Sequence, residues 1–309
     1  MYSVQHKETG ECYAARHVKA ASVRASLLEE SSILWTLRNV QEVIQIKGLF
    51  EGPNLSVLIT DDLIGGDLAE RVSRPGFELN ESKCRRYIQQ LCRGLAYIHK
   101  NDIVHLDLKP FTLVFVNMEE NSSLKITDFT VAKKLTNFSS PTLGSKSAKI
   151  NSLIASSSME FLAPEMIECT YASYATDSWS VGVIAYMLVT GGKSPFYGGN
   201  RFRTVARILS CQYDLHGPEF KCISRDAKSF IMQLLQFSQN SRMSMAQCLK
   251  HKWLAAQAKP EETLQTLEVS VRNFIYTVHA RKDRDRFIPF FTFLLVVYSR
   301  RRYIQDLFS

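Results

Sequence analysis

No stretch of this chain is apolar for long enough to cross a bilayer. Phe287–Tyr298 runs for about a dozen residues with Pro289 and Thr292 inside it, against the roughly 20 that a spanning helix needs. No membrane span is therefore expected. No secretory leader opens the chain either, since Met1 to Gly10 is polar. The seven cysteines, at 12, 84, 92, 169, 211, 222 and 248, show no metal-ligand spacing. They read as reduced thiols, which places the expected site of action inside the cell, in cytoplasm or nucleus. There is no internal repeat. Nor is the chain too polar to fold: of 309 residues, 45% are hydrophobic and 22% charged, enough to bury a sizeable core. The net charge of +8 suggests acidic or peptide partners. No nucleic-acid partner is expected.

What is present centres on residues 105–130. Asp107 and Asp128 each end a short apolar run, and Lys109 lies close behind Asp107. A carboxylate beside a lysine can accept a hydroxyl proton while the ammonium steadies a phosphate. A second carboxylate can hold a divalent ion on that phosphate. These are the parts that phosphoryl transfer needs.

Around this centre, residues 2–18 read as a hairpin turning at Lys7–Gly10. Ser22–Leu37 has helical periodicity, with Val23, Leu27, Leu28, Ile33, Leu34 and Leu37 on one stripe. Val43–Phe50 and Leu55–Thr60 read as two further strands. A long amphipathic helix follows over residues 80–100, capped by Asn80. Residues 136–158 are rich in serine and poor in apolar side chains, so a mobile segment is expected there, with phosphorylation and plain solubility both open as reasons for the serines. After Lys259-Pro260 the composition shifts, and Val269–Lys282 is basic and amphipathic.

The run His105-Leu-Asp-Leu-Lys-Pro110, followed by Asp128-Phe129, resembles the catalytic and metal loops of protein kinases. Further landmarks extend the resemblance over residues 4–254. Phe161-Leu-Ala-Pro-Glu165 matches the close of an activation segment, here Ala132–Glu160. Asp177–Gly182 matches the buried helix that anchors the catalytic loop. Arg242 sits where an arginine pairs with the glutamate at 165, and His251–Leu254 matches a domain end. Residues 102–110 and 182–190 are similar to the death-associated and myosin light chain kinase branch of the calcium/calmodulin group, nearest its death-associated-related members. Giant muscle kinases of the titin, twitchin and obscurin type lie nearby.

The resemblance implies an α+β, bilobal fold: a truncated strand-rich N lobe over 1–61, a mainly helical C lobe over 62–254, and a basic and apolar tail over 255–309. It implies that Asp107 orients a substrate hydroxyl, Lys109 contacts the transferred phosphoryl, and Asp128 holds magnesium. Adenine would meet the backbone around Asp61 and Leu63, between Ala14 and Val114, with Thr60 as gatekeeper. Asp67 would reach the ribose or, equally well for an Asp after two glycines, cap a helix. Arg16 and Glu30 occupy the places of the ion pair that closes the N lobe. That they pair, or that each is a solvated surface charge, are both open. The basic segment after 269 would bind calmodulin or pack on the large lobe.

The chain departs from the family pattern at five points. A glycine-rich phosphate loop would precede Met1, which suggests a shortened gene product. Arg16 stands where a lysine belongs, and its planar fork is no equivalent of an ammonium point charge. Thr112 stands in place of an asparagine metal ligand. Thr130 replaces a glycine, whose freer backbone a β-branched residue lacks. Leu106 replaces an arginine that would bind a phosphorylated activation segment, so control by that route is not expected. Weak or absent phosphotransfer, weak ATP binding and little dependence on Mg²⁺ follow, in a protein that binds or scaffolds a partner. The alternative is an active ATP-dependent serine/threonine kinase acting on a protein substrate.

Overall fold

The computed structural model describes residues 2–19, 21–52, 55–135 and 159–256. The serine-rich stretch 136–158 and the segment from 257 onward, with its calmodulin reading, lie outside them.

The first lobe is an antiparallel four-stranded sheet. Its strands are β1 (Tyr2–Gln5), β2 (Cys12–Val18), β3 (Ile46–Glu51) and β4 (Ser56–Asp61), in the order β1-β2-β4-β3. β2 is interior to the sheet, which places Arg16 on a central strand. The register sets Ala14 opposite Thr60 and Arg16 opposite Leu58. Side chains alternate along a strand, so Ala14 and Arg16 share one face. One helix, α1 (Ala21–Thr36), packs on this sheet and buries Leu27, Ile33 and Leu34. Strand β3 starts later than its apolar run suggests. Val43 is drawn away to a bridge with Ile126, and the ladder is irregular between Ile46 and Gly48.

The second lobe is built on two helices after a short α2 (Leu68–Val72): α3 (Glu81–Lys100) and α5 (Tyr174–Val189). Helix α3 is amphipathic and turns Tyr87, Ile88, Leu91, Leu95 and Ile98 inward. Helix α5 is buried from Thr176 to Val189, as its apolar composition on every side requires. At Gly94 helix α3 lies close against its neighbours: a Cβ there would lie 2.8 Å from Ile126 Cδ1 and 2.9 Å from Glu42 Cβ. Short α4 (Pro164–Ile167) precedes α5, and α6 (Arg201–Leu209), α7 (Arg225–Leu234), α8 (Met245–Lys250) and α9 (Lys252–Ala255) complete the lobe. Most helix starts carry a side-chain cap that accepts a backbone N–H: Asp67, Asn80, Ser173, Asn200, Ser224 and Ser244.

Between α3 and α5 the chain makes a nested pair of ribbons. Strand β5 (Ile103–Val104) pairs with β8 (Lys133–Lys134), and inside it β6 (Leu113–Phe115) pairs with β7 (Leu124–Ile126). This nesting sets the loop 105–112 beside the loop 127–132. The link from the first lobe packs on the same ribbon: Gly65 lies against Phe115 and Asn117, where an added Cβ would fall 2.3 Å from the Asn117 carbonyl.

Candidate functional site

Loop 105–112 is held from below by Asp177, which is 1% exposed. Its carboxylate accepts the backbone N–H groups of His105 and Leu106, each at 2.9 Å, and His99 Nε2 at 2.8 Å. Burial pushes this carboxyl up, but the His99 hydrogen bond and the loop donors outweigh it and hold it below the usual range. The two amides also hold Leu106 at φ 68°, a left-handed conformation that costs an L-residue about 1–2 kcal/mol. Its side chain is buried. The His105 ring, fully buried, spans the two loops: Nε2 donates to the Thr127 carbonyl at 2.9 Å, and Nδ1 accepts from Asp107 N–H at 3.3 Å. Phe129 meets it edge-on at 4.8 Å.

On this platform Asp107 and Lys109 are in contact, Nζ to Oδ2 at 2.6 Å. Burial raises the Asp107 carboxyl above its usual value, Lys109 offsets part of that, and the nearby charge of Asp128 adds to the rise. Thr112 is 2% exposed and turned back into its own loop. Its hydroxyl accepts from Lys109 N–H at 3.2 Å and lies 3.0 Å from the Lys109 carbonyl and 3.3 Å from that of Asp107.

The second loop reaches the first lobe. Of the two readings left open for Arg16 and Glu30, the ion pair is the one that forms, so neither is a solvated surface charge. Arg16 Nη1 also donates to Thr130 Oγ1 at 3.1 Å, and that hydroxyl lies 2.6 Å from Asp128 Oδ1. Burial raises the Glu30 carboxyl, and Arg16 pulls against it without prevailing. For Asp128 the balance tips the other way: burial pushes up, but the Thr130 hydrogen bond with Lys109 and Arg16 nearby holds it below its usual range. Asp128 nonetheless keeps solvent access at the cleft. Thr130 does not take up a glycine's backbone angle. The left-handed residue is Asp128 itself, at φ 62°, a conformation that Asp tolerates better than most.

At the adenine end, Asp61 N–H donates to the Gln45 carbonyl at 3.0 Å, and its carbonyl accepts the Thr60 hydroxyl at 3.4 Å, which leaves that oxygen a second lone pair to offer a ligand. The Asp61 side chain is held by Lys47 at 3.2 Å and Lys125 at 3.4 Å. Thr60 and Ala14 are buried opposite one another on β4 and β2, and Val114 lies half-buried on β6. Asp67 caps α2 through Glu70 N–H at 2.8 Å and bridges to Val114.

These residues test what the site can hold. The hinge carbonyl and apolar walls fit an adenine ring. The phosphate end fits less well. Arg16 is turned to Glu30 and Thr130, the Thr112 oxygen is spent on its own loop, and one oxygen of Asp128 is taken by Thr130. A magnesium ion bound through phosphates leans on one or two carboxylates. Asp128 supplies one, and among the described residues no cluster of three or more His, Cys, Asp or Glu could hold a metal.

The sequence singled out Asp107, Lys109, Asp128, Arg16 and Glu30, and the structure brings them together at the cleft. The Arg242–Glu165 pair also forms, bidentate at 2.7 and 2.8 Å and buried. It missed His99, for which a lone histidine in the last turn of α3 gives no signal. It also missed the hydroxyl of Thr130 as a bridge.

A sheet-rich lobe on a helical one, with an acid–lysine loop beside an acid-bearing loop at the cleft, defines a protein kinase fold. The chain belongs to the protein kinase domain family, which matches residues 1–254. It is 36% identical over 264 residues to smooth muscle myosin light chain kinase of Gallus gallus, covering 85% of this chain and 13% of that protein. It is 35% identical over 264 residues to human myosin light chain kinase family member 4, covering 82% and 63%. The chain thus spans less than two thirds of these relatives. Among solved structures it resembles the twitchin kinase region of C. elegans, with a TM-score of 0.77, 31% identity and 89% and 48% of the two chains covered. It also resembles the autoinhibited serine kinase domain of titin, with a TM-score of 0.78, 26% identity and coverage of 89% and 82%. This is a serine/threonine-kinase-fold protein related to the myosin light chain kinases. No helix among the described residues is long and apolar enough to cross a membrane.

Proposed function

We propose that this chain is a kinase-fold binding module whose phosphotransfer is weak or absent. One observation carries it: the groups that would position phosphates and metal are committed to one another. Thr112 serves its loop, and Arg16 and Asp128 are both tied to Thr130. When bound, ATP supplies the phosphoryl group and Mg²⁺ neutralises its charge. This chain's part would be to orient a substrate hydroxyl with Asp107, steady the phosphoryl with Lys109, and offer Asp128 to the ion. Adenine would lie against Ala14 and Val114 and meet the backbone at Asp61 and Leu63, with Asp67 towards the ribose. Catalysis of this kind is mostly positioning and charge neutralisation, so loss of several such groups costs orders of magnitude.

The other assignments stand with this reading: an N lobe over 1–61, a C lobe over 62–254, a tail over 255–309 that binds calmodulin, a protein partner, and action in cytoplasm or nucleus. The relatives carry the myosin light chain kinase name, and the death-associated affinity rests on residues 102–110 and 182–190 alone. Two contacts favour an active serine/threonine kinase as the second reading: Asp107 with Lys109, and Arg16 with Glu30.

The test is calorimetry with adenosine, ATP and ATP plus magnesium, then radiolabelled phosphate transfer to a basic peptide. Adenosine and ATP should bind with similar affinity. A gain above about 1.4 kcal/mol on adding magnesium, a tenfold change, would show an intact metal site. Robust transfer that disappears in Asp107→Ala would establish the active enzyme instead.

A further inference from the structure

Arg16 and Thr130 are separate departures in the sequence, 114 positions apart, yet they are in contact. A hydroxyl has one proton to give and two lone pairs to receive. The Thr130 proton goes to Asp128 Oδ1, 2.6 Å away, rather than to Glu30 Oε2 at 3.3 Å, because the shorter bond to a carboxylate is the stronger. Its lone pair takes Arg16 Nη1. The other terminal nitrogen, Nη2, covers Glu30. A planar guanidinium can serve two partners in two fixed directions, whereas an ammonium is a single point. A glycine at 130 offers Asp128 only its N–H, which here lies 3.4 Å from the same oxygen. Neither residue alone completes the chain of donors from Arg16 through Thr130 to Asp128.

We propose that Arg16 and Thr130 are a matched pair of positioning residues, which together hold the Asp128 carboxylate to the sheet-rich lobe through protein hydrogen bonds. The pair competes for the carboxylate with any ion that approaches it. Strand β2 is thereby tied to the loop after β7, so the two lobes are linked at the cleft by the chain's own groups. The inference rests on the reading that magnesium adds little to nucleotide binding here.

The experiment compares Thr130→Val, which keeps the shape and loses the hydroxyl, with Thr130→Ser, which keeps the hydroxyl. ATP affinity is measured by calorimetry with and without magnesium, and each variant's magnesium gain is divided by that of the parent. Thr130→Val should show a gain at least tenfold that of the parent, and Thr130→Ser should match the parent. Arg16→Lys should also raise the gain, and the double variant should exceed the larger single effect by little. Thr130→Gly replaces the valine variant if that one fails to fold. Equal gains for the Val (or Gly) and Ser variants, or fully additive gains with Arg16→Lys, would overturn the pairing. A tenfold magnesium gain in the parent would instead refute the weak-metal reading and leave the Val-to-Ser contrast to judge the pair.

Discussion

Replacing Asp177 by Asn tests how the cleft is supported from beneath. The aspartate accepts His105 N–H and His99 on Oδ2 and Leu106 N–H on Oδ1. An asparagine oxygen can keep the first two, more weakly for lack of charge. Its NH₂ then faces Leu106 N–H, donor against donor. One hydrogen bond to a charged group contributes about 1.5–3 kcal/mol, and a buried donor left without a partner costs about 1–3 kcal/mol. With the other two bonds weakened, the loss should be about 3–5 kcal/mol, a large share of the 5–15 kcal/mol typical of a domain. Urea unfolding followed by tryptophan fluorescence reads it directly, because Trp179 lies on the same helix, fully buried against Phe196. At a slope of about 2 kcal/mol per M, the midpoint should fall by roughly 1.5–2.5 M. The effect also depends on pH. The folded carboxyl is held below its ordinary value, so the unfolded chain binds the proton first. The aspartate's contribution is therefore complete well above an unfolded value of about 3.9 and fades as pH falls through and below it. The asparagine variant should lack that part of the acid dependence. A loss under about 1 kcal/mol, or an unchanged acid profile, would refute the argument.

Two further outcomes follow from packing. Arg242→Met should destabilise by about 3–5 kcal/mol, because it strands the buried Glu165. Adding Glu165→Leu should recover only part, since the Gln236, Ala175 and Phe237 carbonyls still lack their donor; full recovery in guanidinium unfolding would contradict this. Gly65→Ala should cost more than about 2 kcal/mol by the same measurement, as its methyl would meet the Asn117 carbonyl and Phe115 Cβ and main-chain atoms must shift; a neutral result would show that the link between lobes yields easily.

Much of the scaffold could be read from local signals. The stripe of apolar residues gave α1 to within a residue or so, and Asn80 marks the start of α3 because a cap needs only its own turn. Asp107 and Lys109 were legible for the same reason: they are near neighbours in sequence. What stayed hidden depends on partners far along the chain. Val43 leaves its strand for Ile126, and the Thr130 hydroxyl finds Arg16. Nothing beside Leu106 or Asp128 signals a left-handed backbone, since neither is glycine and tertiary hydrogen bonds impose it at Leu106. Thr112 looked like a poor metal ligand, and the structure adds that its hydroxyl already has work within its loop.

The helix caps of the larger lobe have a consequence for acid unfolding. Apart from Asp67 on α2 and His251 on α9, they are uncharged acceptors, Asn80, Ser173, Asn200, Ser224 and Ser244, so protonation does not remove them. The contact that fastens the loop side of the lobe's interior, Asp177 under loop 105–112, is a carboxylate held below its usual range. Acid therefore loosens the packing around Asp177 while the starts of α3 and of α5 to α8 keep their caps. The lobe should pass through a compact form with far-ultraviolet dichroism retained, near-ultraviolet signal lost and dye-binding apolar surface exposed, as molten globules show.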